Sequence, residues 1–314
     1  MTSFPEHVVI EEQGLRDGLQ SEKVIIPTER KIDLINAVAD AGVKRIQVTS
    51  FVHPKLVPQM ADAEAVCKQL DTSRDVVYSS LVLNPKGIQR AADAGLKHVG
   101  ASISASDTHS RKNANASLAE ARQRFAEMVR LGKQNSLTIR GGLQCVFGCR
   151  FEGHIDKHVV YNLIKEQLDL GIDEIALADS TGMAHPKAIQ EIAGCVRDLA
   201  GDIPLYLHLH DTEGKGLANV VAALGVGVSY FETAFGGMGG CPFIKRASGN
   251  ISTEDLVFML GQMGIDTGID VHKLAQVSRS LEPVIGKTFA GKMHHLLGRE
   301  DIAILHGPGK DTES

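Results

Sequence analysis

Eight short runs of β-branched and apolar residues recur along the chain, each followed by a stretch with helical spacing. This alternation narrows the available folds more than any other feature. The runs are 8–13 (VVIEEQ), 44–49 (KRIQVT), 76–82 (VVYSSLV), 97–103 (KHVGASI), 137–144 (LTIRGGLQ), 173–179 (DEIALAD), 204–210 (PLYLHLH) and 228–234 (VSYFETA). Strands that alternate with helices are joined by crossovers and lie parallel. Eight such units in 314 residues, with no Pro/Gly/Ser-rich linker, predict an α/β fold of the closed (β/α)8 TIM-barrel type rather than an open doubly wound sheet. No G-x-G-x-x-G turn follows the first strand, which counts against a dinucleotide-binding sheet.

The helical stretches carry boundary signals of their own. "TERKIDLINAVADAG" has Thr28 as an expected N-cap and Gly42 just past its end, and "SLAEARQRFAEMVRLG" opens with Ser117 and Glu120 at capping-box spacing. After the eighth run, the glycine-rich "AFGGMGGCPFIKRASGN" leads to helical patterns at about 252–263 and 271–284, extra C-terminal helices that extend the barrel's outer layer. The expected organisation is one barrel domain over 1–285 and a C-terminal extension over 286–314, partly disordered.

Composition removes several classes of function. Hydrophobic residues at 43% and charged residues at 23% describe a globular chain with material for a core. A net charge of -5 without any basic run leaves no electrostatic footprint for nucleic acid. No apolar run reaches the length of a membrane span. The start "MTSFPEHVVIEE" resembles neither a secretory signal nor a transit peptide. Five scattered cysteines suit free thiols in a reducing compartment, so a cytoplasmic enzyme is expected.

In a (β/α)8 barrel the chemistry gathers at the carboxyl ends of the strands. Arg16 and Asp17 follow the first run, Gln47 and Thr49 close the second, Asp179 closes the sixth, and His208 and His210 close the seventh. Residues two apart on a strand share a face, so both imidazoles point the same way. In "LYLHLHDTEG" alone they can be metal ligands, a proton-transfer pair or packed core residues. Asp17 across the same mouth tips the reading toward a metal, with Asn250 as a further carbonyl ligand. Imidazole and oxygen donors suit Mn²⁺, Mg²⁺, Co²⁺ or Zn²⁺. Arg16 can bind a carboxylate or enolate oxygen through its planar fork, although "RDG" is also a common surface turn. Cys241, on a glycine-dense loop, is either an acid/base or nucleophile candidate or an incidental thiol. Cys145 and Cys149 lack a second pair at zinc-site spacing and read as structural. His294 and His295 in "KMHHLLG" read as exposed tail residues and not as ligands.

"RDGLQSEK", "TSFVHPKLVPQMAD", "KNANAS", "HLHDTEGKGLAN", "GGMGGCPF" and "ASGNISTEDLVFML" resemble, in order and spacing, the 3-hydroxy-3-methylglutaryl-CoA lyase family of DRE-TIM metallolyases, from about residue 7 to about 285. The resemblance implies a divalent ion, Mg²⁺ or Mn²⁺, held by Asp17, His208, His210 and Asn250. It implies enolate stabilisation by Arg16, a loop acid at Cys241, and an acidic residue at Asp179 that shares with His208 the role of candidate base. The implied reaction is a retro-Claisen cleavage of an acyl-CoA substrate lying across the mouth, in a homodimer. Arg111 and Lys112, just before the Ser117 helix start, are either a place for coenzyme A phosphates or a solvated basic patch, and Lys112 and Asn113 are taken as the substrate- or coenzyme-A-binding candidates.

Several positions depart from the family pattern. Gln47 stands where a glutamate is usual, Gly142 where a tyrosine is common and Arg150 where a proline is, while Lys245 and Arg246 replace small neutral residues. Gln47 keeps the size of glutamate without its charge. More room near strand five and extra positive charge by the lid point to a changed acyl group, while the resemblance as a whole implies cleavage of 3-hydroxy-3-methylglutaryl-CoA as the first expectation. Three rival readings are a lyase of another 3-hydroxyacyl-CoA such as citramalyl-CoA, a condensing synthase, and a non-catalytic acyl-CoA-binding barrel.

Overall fold

A computed structural model describes residues 4–240 and 249–298. Its centre is a closed barrel of eight parallel strands in sequential order: β1 (Val9–Glu12), β2 (Arg45–Ser50), β3 (Val77–Val82), β4 (His98–Ser104), β5 (Thr138–Gln144), β6 (Glu174–Asp179), β7 (Leu205–Leu209) and β8 (Tyr230–Thr233). The barrel closes where β1 pairs with β8 in the register Val9↔Tyr230 to Glu12↔Thr233. All eight expected runs are strands, with ends displaced by at most two residues. They were legible because a strand covered on both faces keeps apolar side chains on both. In β7 all five residues are buried: Leu205, Leu207 and Leu209 face the outer helices, and Tyr206 and His208 face the interior.

The outer layer consists of α1 (Thr28–Asp40), α2 (Ala63–Lys68), α3 (Pro85–Asp93), α4 (Asp107–Ala114), α5 (Leu118–Gln134), α6 (Lys157–Asp169), α7 (Pro186–Ala200) and α8 (Gly216–Gly225). The capping box of α5 forms as expected, the Ser117 hydroxyl accepting the Glu120 N–H while the Glu120 carboxylate accepts the Ser117 N–H. Thr28 is corrected: Pro27 takes the N-cap position with preset φ, and Thr28, now the first helical residue, donates its hydroxyl to Asp62 at 2.8 Å. No helix among the described residues is long and apolar enough to cross a membrane. The four described cysteines, Cys67, Cys145, Cys149 and Cys195, are free thiols.

Beyond the barrel, α9 (Thr253–Gln262) and α10 (Val271–Ile285) match the expected helices, and a short α11 (Met293–Leu296) follows. The described part of the extension folds back on the body. Phe289 is buried, and Met293 and Leu297 pack with Ala275 of α10. The expectation that His294 is exposed is therefore corrected, since it has no accessible surface. The driving force is the apolar stripe around it, which a tail reading of two adjacent histidines overlooks.

Candidate active site

The π-helical turn Gly14–Gly18 carries Arg16 and Asp17 just past β1. Glu12 builds this turn from beneath. One carboxylate oxygen accepts the N–H groups of Gly14 at 2.6 Å and Phe235 at 2.9 Å, and the other accepts the Thr253 hydroxyl at 2.6 Å. It thereby ties the loops after β1 and β8 to the start of α9. Gly14 must be glycine here, because a Cβ would lie 2.5 Å from the Phe235 ring. Burial pushes Glu12 up to about 8, against the hydrogen bonds that favour its ionised form.

Arg16 is 7% exposed and spends its donors in three directions: Nε donates to Gln47 Oε1, Nη1 to Asp17 Oδ1 at 2.5 Å, and Nη2 to Gln13 Oε1 at 2.8 Å. Gln47 thus keeps the guanidinium in place as a neutral acceptor. Opposite, His208 Nε2 and His210 Nε2 lie 3.1 Å apart, and His210 Nε2 is 4.0 Å from Asp17 Oδ2. Asp17, His208 and His210 bring ligand atoms within 4.8 Å of one another. Asn250 completes the group, donating its amide N–H to Asp17 Oδ2 at 2.7 Å and to the Met238 carbonyl at 3.0 Å.

Electrostatics hold Asp17 and His210 in the forms that can bind a cation. Burial works against the Asp17 anion, yet Arg16, the two imidazoles and the Asn250 amide outweigh it and bring it down to about 2. Burial, aided by the neighbouring His208, lowers His210 to about 4, which leaves a neutral imidazole. Two buried atoms of the cluster, His210 Nδ1 and Asn250 Oδ1, have no hydrogen-bond partner among the described residues. A carboxylate, two imidazoles and an unsatisfied amide oxygen form the donor set of a divalent ion, so the residues fit a metal.

The cluster opens into a cavity of about 190 Å³ lined by Arg16, Asp17, Gln47, His208, His210 and Glu232, with Gly100, Ser102, Gly142 and Ala176 on the other side. Glu232 was not anticipated. Its Oε2 pairs with His208 Nδ1 at 2.9 Å and its Oε1 accepts from Arg140 at 2.7 Å, so it fixes which imidazole nitrogen faces the cavity. Its one sequence signal was a charge inside the eighth apolar run. Burial opposes its ionisation, but His208 and Arg140 bring it down to about 2.

The other expected residues are distributed unevenly. Asn113 lines the cavity and donates to Gln144 Oε1 at 3.3 Å, whereas the Lys112 ammonium sits 4.9 Å over the Phe151 ring. Asp179 is corrected in position: Ala178 and Ser180 line the cavity, and Asp179, one residue out of phase, does not. Its oxygens accept the N–H groups of Met183 at 2.9 Å and Ala184 at 3.1 Å, and burial raises it to about 7. Gly142 lines the cavity beside Ser102, while Arg150 pairs with Glu213 at the surface, 2.6 Å away. Cys241, Lys245 and Arg246 lie outside the described residues; Gly240, immediately before Cys241, lines the cavity.

Fold and site together define a class: a (β/α)8-barrel enzyme whose strand ends converge two imidazoles, a carboxylate and an arginine on one mouth. The HMGL-like family model matches residues 7–281, and the chain belongs to that family. It is a carbon–carbon lyase. It is similar to the cytoplasmic 3-hydroxy-3-methylglutaryl-CoA lyase of Danio rerio, 43% identical over 88% of this chain and 82% of the relative. It is likewise similar to the mitochondrial hydroxymethylglutaryl-CoA lyase of Bos taurus, 42% identical over 87% and 84%. Among solved structures, the Bacillus subtilis HMG-CoA lyase superposes with a TM-score of 0.89 at 38% identity, covering 94% of this chain and 99% of that one. An HMG-CoA lyase from Acinetobacter baumannii, in complex with coenzyme A and 3-methylmalate, superposes with 0.87 at 40% identity, covering 100% and 99%. The family depends on a divalent metal ion.

Proposed function

We propose that this lyase cleaves 3-hydroxy-3-methylglutaryl-CoA to acetyl-CoA and acetoacetate, with Mg²⁺ or Mn²⁺ held by Asp17, His208, His210 and Asn250. The observation that carries the proposal is the convergence of these four residues with Arg16 at one barrel mouth, two of them presenting buried polar atoms without partners. A divalent ion bound there supplies Lewis acidity, which lowers the pKa of a substrate hydroxyl and favours its alkoxide.

The chain's own groups do the rest. As the C3 hydroxyl passes its proton to solvent at the cavity mouth, the C2–C3 bond breaks, and that proton balances the one Cys241 delivers to C2. C3 becomes the ketone carbon of acetoacetate, and the bonding pair passes to C2 and the thioester oxygen as the enolate of acetyl-CoA. Arg16, held by Gln13, Gln47 and Asp17, offsets the charge on that oxygen with a guanidinium that needs no reorientation. Cys241 protonates C2; the place of Gly240 in the cavity wall supports this role. Asn113 and Lys112 bind the coenzyme A moiety, a reading supported by Asn113 at the cavity and by the coenzyme A complex of the Acinetobacter relative. Glu232 holds His208 Nδ1, which leaves Nε2 as the nitrogen that would bind the ion. A nitrogen that holds a metal has no lone pair for a proton, so His208 is assigned as a ligand. The homodimer expected from the resemblance belongs to the same proposal and is checked by light scattering.

The test is acetyl-CoA release from 3-hydroxy-3-methylglutaryl-CoA. Turnover is expected with Mg²⁺ or Mn²⁺ and is expected to stop after chelation. Asp17→Asn and His210→Ala should each lose metal binding by calorimetry and at least about a hundredfold in kcat. A metal-replete protein that leaves this thioester intact while cleaving another 3-hydroxyacyl-CoA would overturn the substrate. Metal binding that survives His208→Ala while turnover is lost would make His208 the base instead of a ligand.

A further inference from the structure

A second cluster of metal-binding side chains lies away from the mouth, where the extension folds back on α10. His294 Nε2 is 3.2 Å from Glu282 Oε1, and His295 Nε2 is 3.5 Å from the same oxygen. The three residues bring ligand atoms within 4.8 Å of one another, and none of them lines the barrel cavity.

Ion pairing alone does not account for this arrangement. Glu282 Oε1 already accepts the Phe289 N–H at 2.7 Å. The two imidazole rings are 3.8 Å apart, so protonating both would press two cations together. If both are neutral, His295 Nε2 stays buried with no hydrogen bond, and His294 Nδ1, in a side chain without accessible surface, is also without a partner among the described residues. A bound ion removes the first of these costs. Tetrahedral bonds of about 2.0–2.1 Å separate adjacent ligand atoms by roughly 3.3–3.4 Å, a spacing bracketed by the two observed distances.

We infer that Glu282, His294 and His295 form a second metal site that takes a borderline divalent ion of the zinc class and clips the extension to α10. Two imidazoles and one carboxylate favour Zn²⁺ or Co²⁺ over Mg²⁺. The site has a mechanical consequence for the mouth. The extension presses Phe289 against Gly236, where a Cβ would lie 2.5 Å from the ring, and the Gly291 N–H donates to the Gly236 carbonyl at 2.8 Å. Gly236 begins the turn that leads to Gly240 in the cavity wall. An ion at the clip holds that turn from outside.

The test separates this site from the one at the mouth. In full-length Asp17→Asn protein stripped with chelator, Zn²⁺ titrated by calorimetry should bind one equivalent and raise Tm. Adding Glu282→Gln or His295→Ala should weaken that binding by more than about tenfold and remove the rise in Tm. Both second substitutions spare the fully buried His294, and far-ultraviolet circular dichroism verifies the fold. Co²⁺ should give a tetrahedral visible band in Asp17→Asn protein that is absent after His295→Ala. The inference is overturned if Asp17→Asn protein binds no Zn²⁺, or if its Zn²⁺ binding is unchanged by Glu282→Gln and His295→Ala.

Discussion

The lower interior of the barrel and its mouth are both buried and both polar, but the lower interior pairs its charges, whereas the mouth leaves buried polar atoms open. Below, Arg140 donates to Glu11 at 2.5 Å, Glu174 at 2.9 Å and Glu232 at 2.7 Å. Arg45 adds bonds to Glu11 and Glu174, and Tyr206 stacks 3.7 Å from the Arg140 guanidinium. At the mouth, Gln13 Nε2, His210 Nδ1 and Asn250 Oδ1 are buried without partners. Paired charges specify structure, whereas a buried amide oxygen left open beside a carboxylate and two imidazoles awaits a ligand. Two guanidiniums face three carboxylates below, and the third, Glu232, turns its second oxygen up to His208. The lower network therefore ends on the candidate metal centre and sets its geometry.

The strongest way to break this contrast is Arg140→Met. It would remove the one guanidinium shared by three buried carboxylates, and a loss of about 3–5 kcal/mol is expected in urea unfolding. The pH dependence of Glu12 comes next. Its folded pKa of about 8 lies above the ordinary 4.5, so the stability it lends is complete below about 4.5 and is lost as pH rises through 8. Wild-type unfolding free energy should fall across that window by up to a few kcal/mol, and Glu12→Gln should flatten the profile. Glu232→Gln touches both regions. It should lower metal affinity about 10–100-fold by calorimetry and also cost roughly 1–3 kcal/mol of stability. A variant that loses stability while keeping its metal affinity would sever the proposed link between lower interior and mouth. The smallest effect is expected from Gln47→Glu. Because the glutamine already accepts from Arg16 Nε, kcat/KM on 3-hydroxy-3-methylglutaryl-CoA should change by no more than about tenfold, or about 1.4 kcal/mol. A larger gain would show that the missing charge limits this centre.

Much of this was legible in the chain. Strand positions followed from apolar runs, and the shared direction of His208 and His210 followed from the two-residue strand repeat. Asp17 and Arg16 were found because barrel chemistry sits just past the strand ends. What escaped had no local signature. Glu232 and Arg140 meet across the barrel, 92 residues apart in sequence, and each alone looks like an isolated charge in a strand. Asp179 misled because strand phase, and not proximity to the strand end, decides which side chain faces the cavity. His294 was read as tail because two adjacent histidines carry no burial signal until Phe289, Met293 and Leu297 are packed around them.

The order of elements, the closed barrel and the residue types at its mouth were thus written in the sequence, because period and polarity are local properties that each run displays by itself. Tertiary structure decided which polar groups are satisfied. It joined Glu232 to His208, left Asn250 Oδ1 open at the mouth, and brought Glu282 beneath His294 and His295. Hydrogen-bond satisfaction belongs to a pair of atoms, and only the closed barrel and the folded-back extension bring those atoms together.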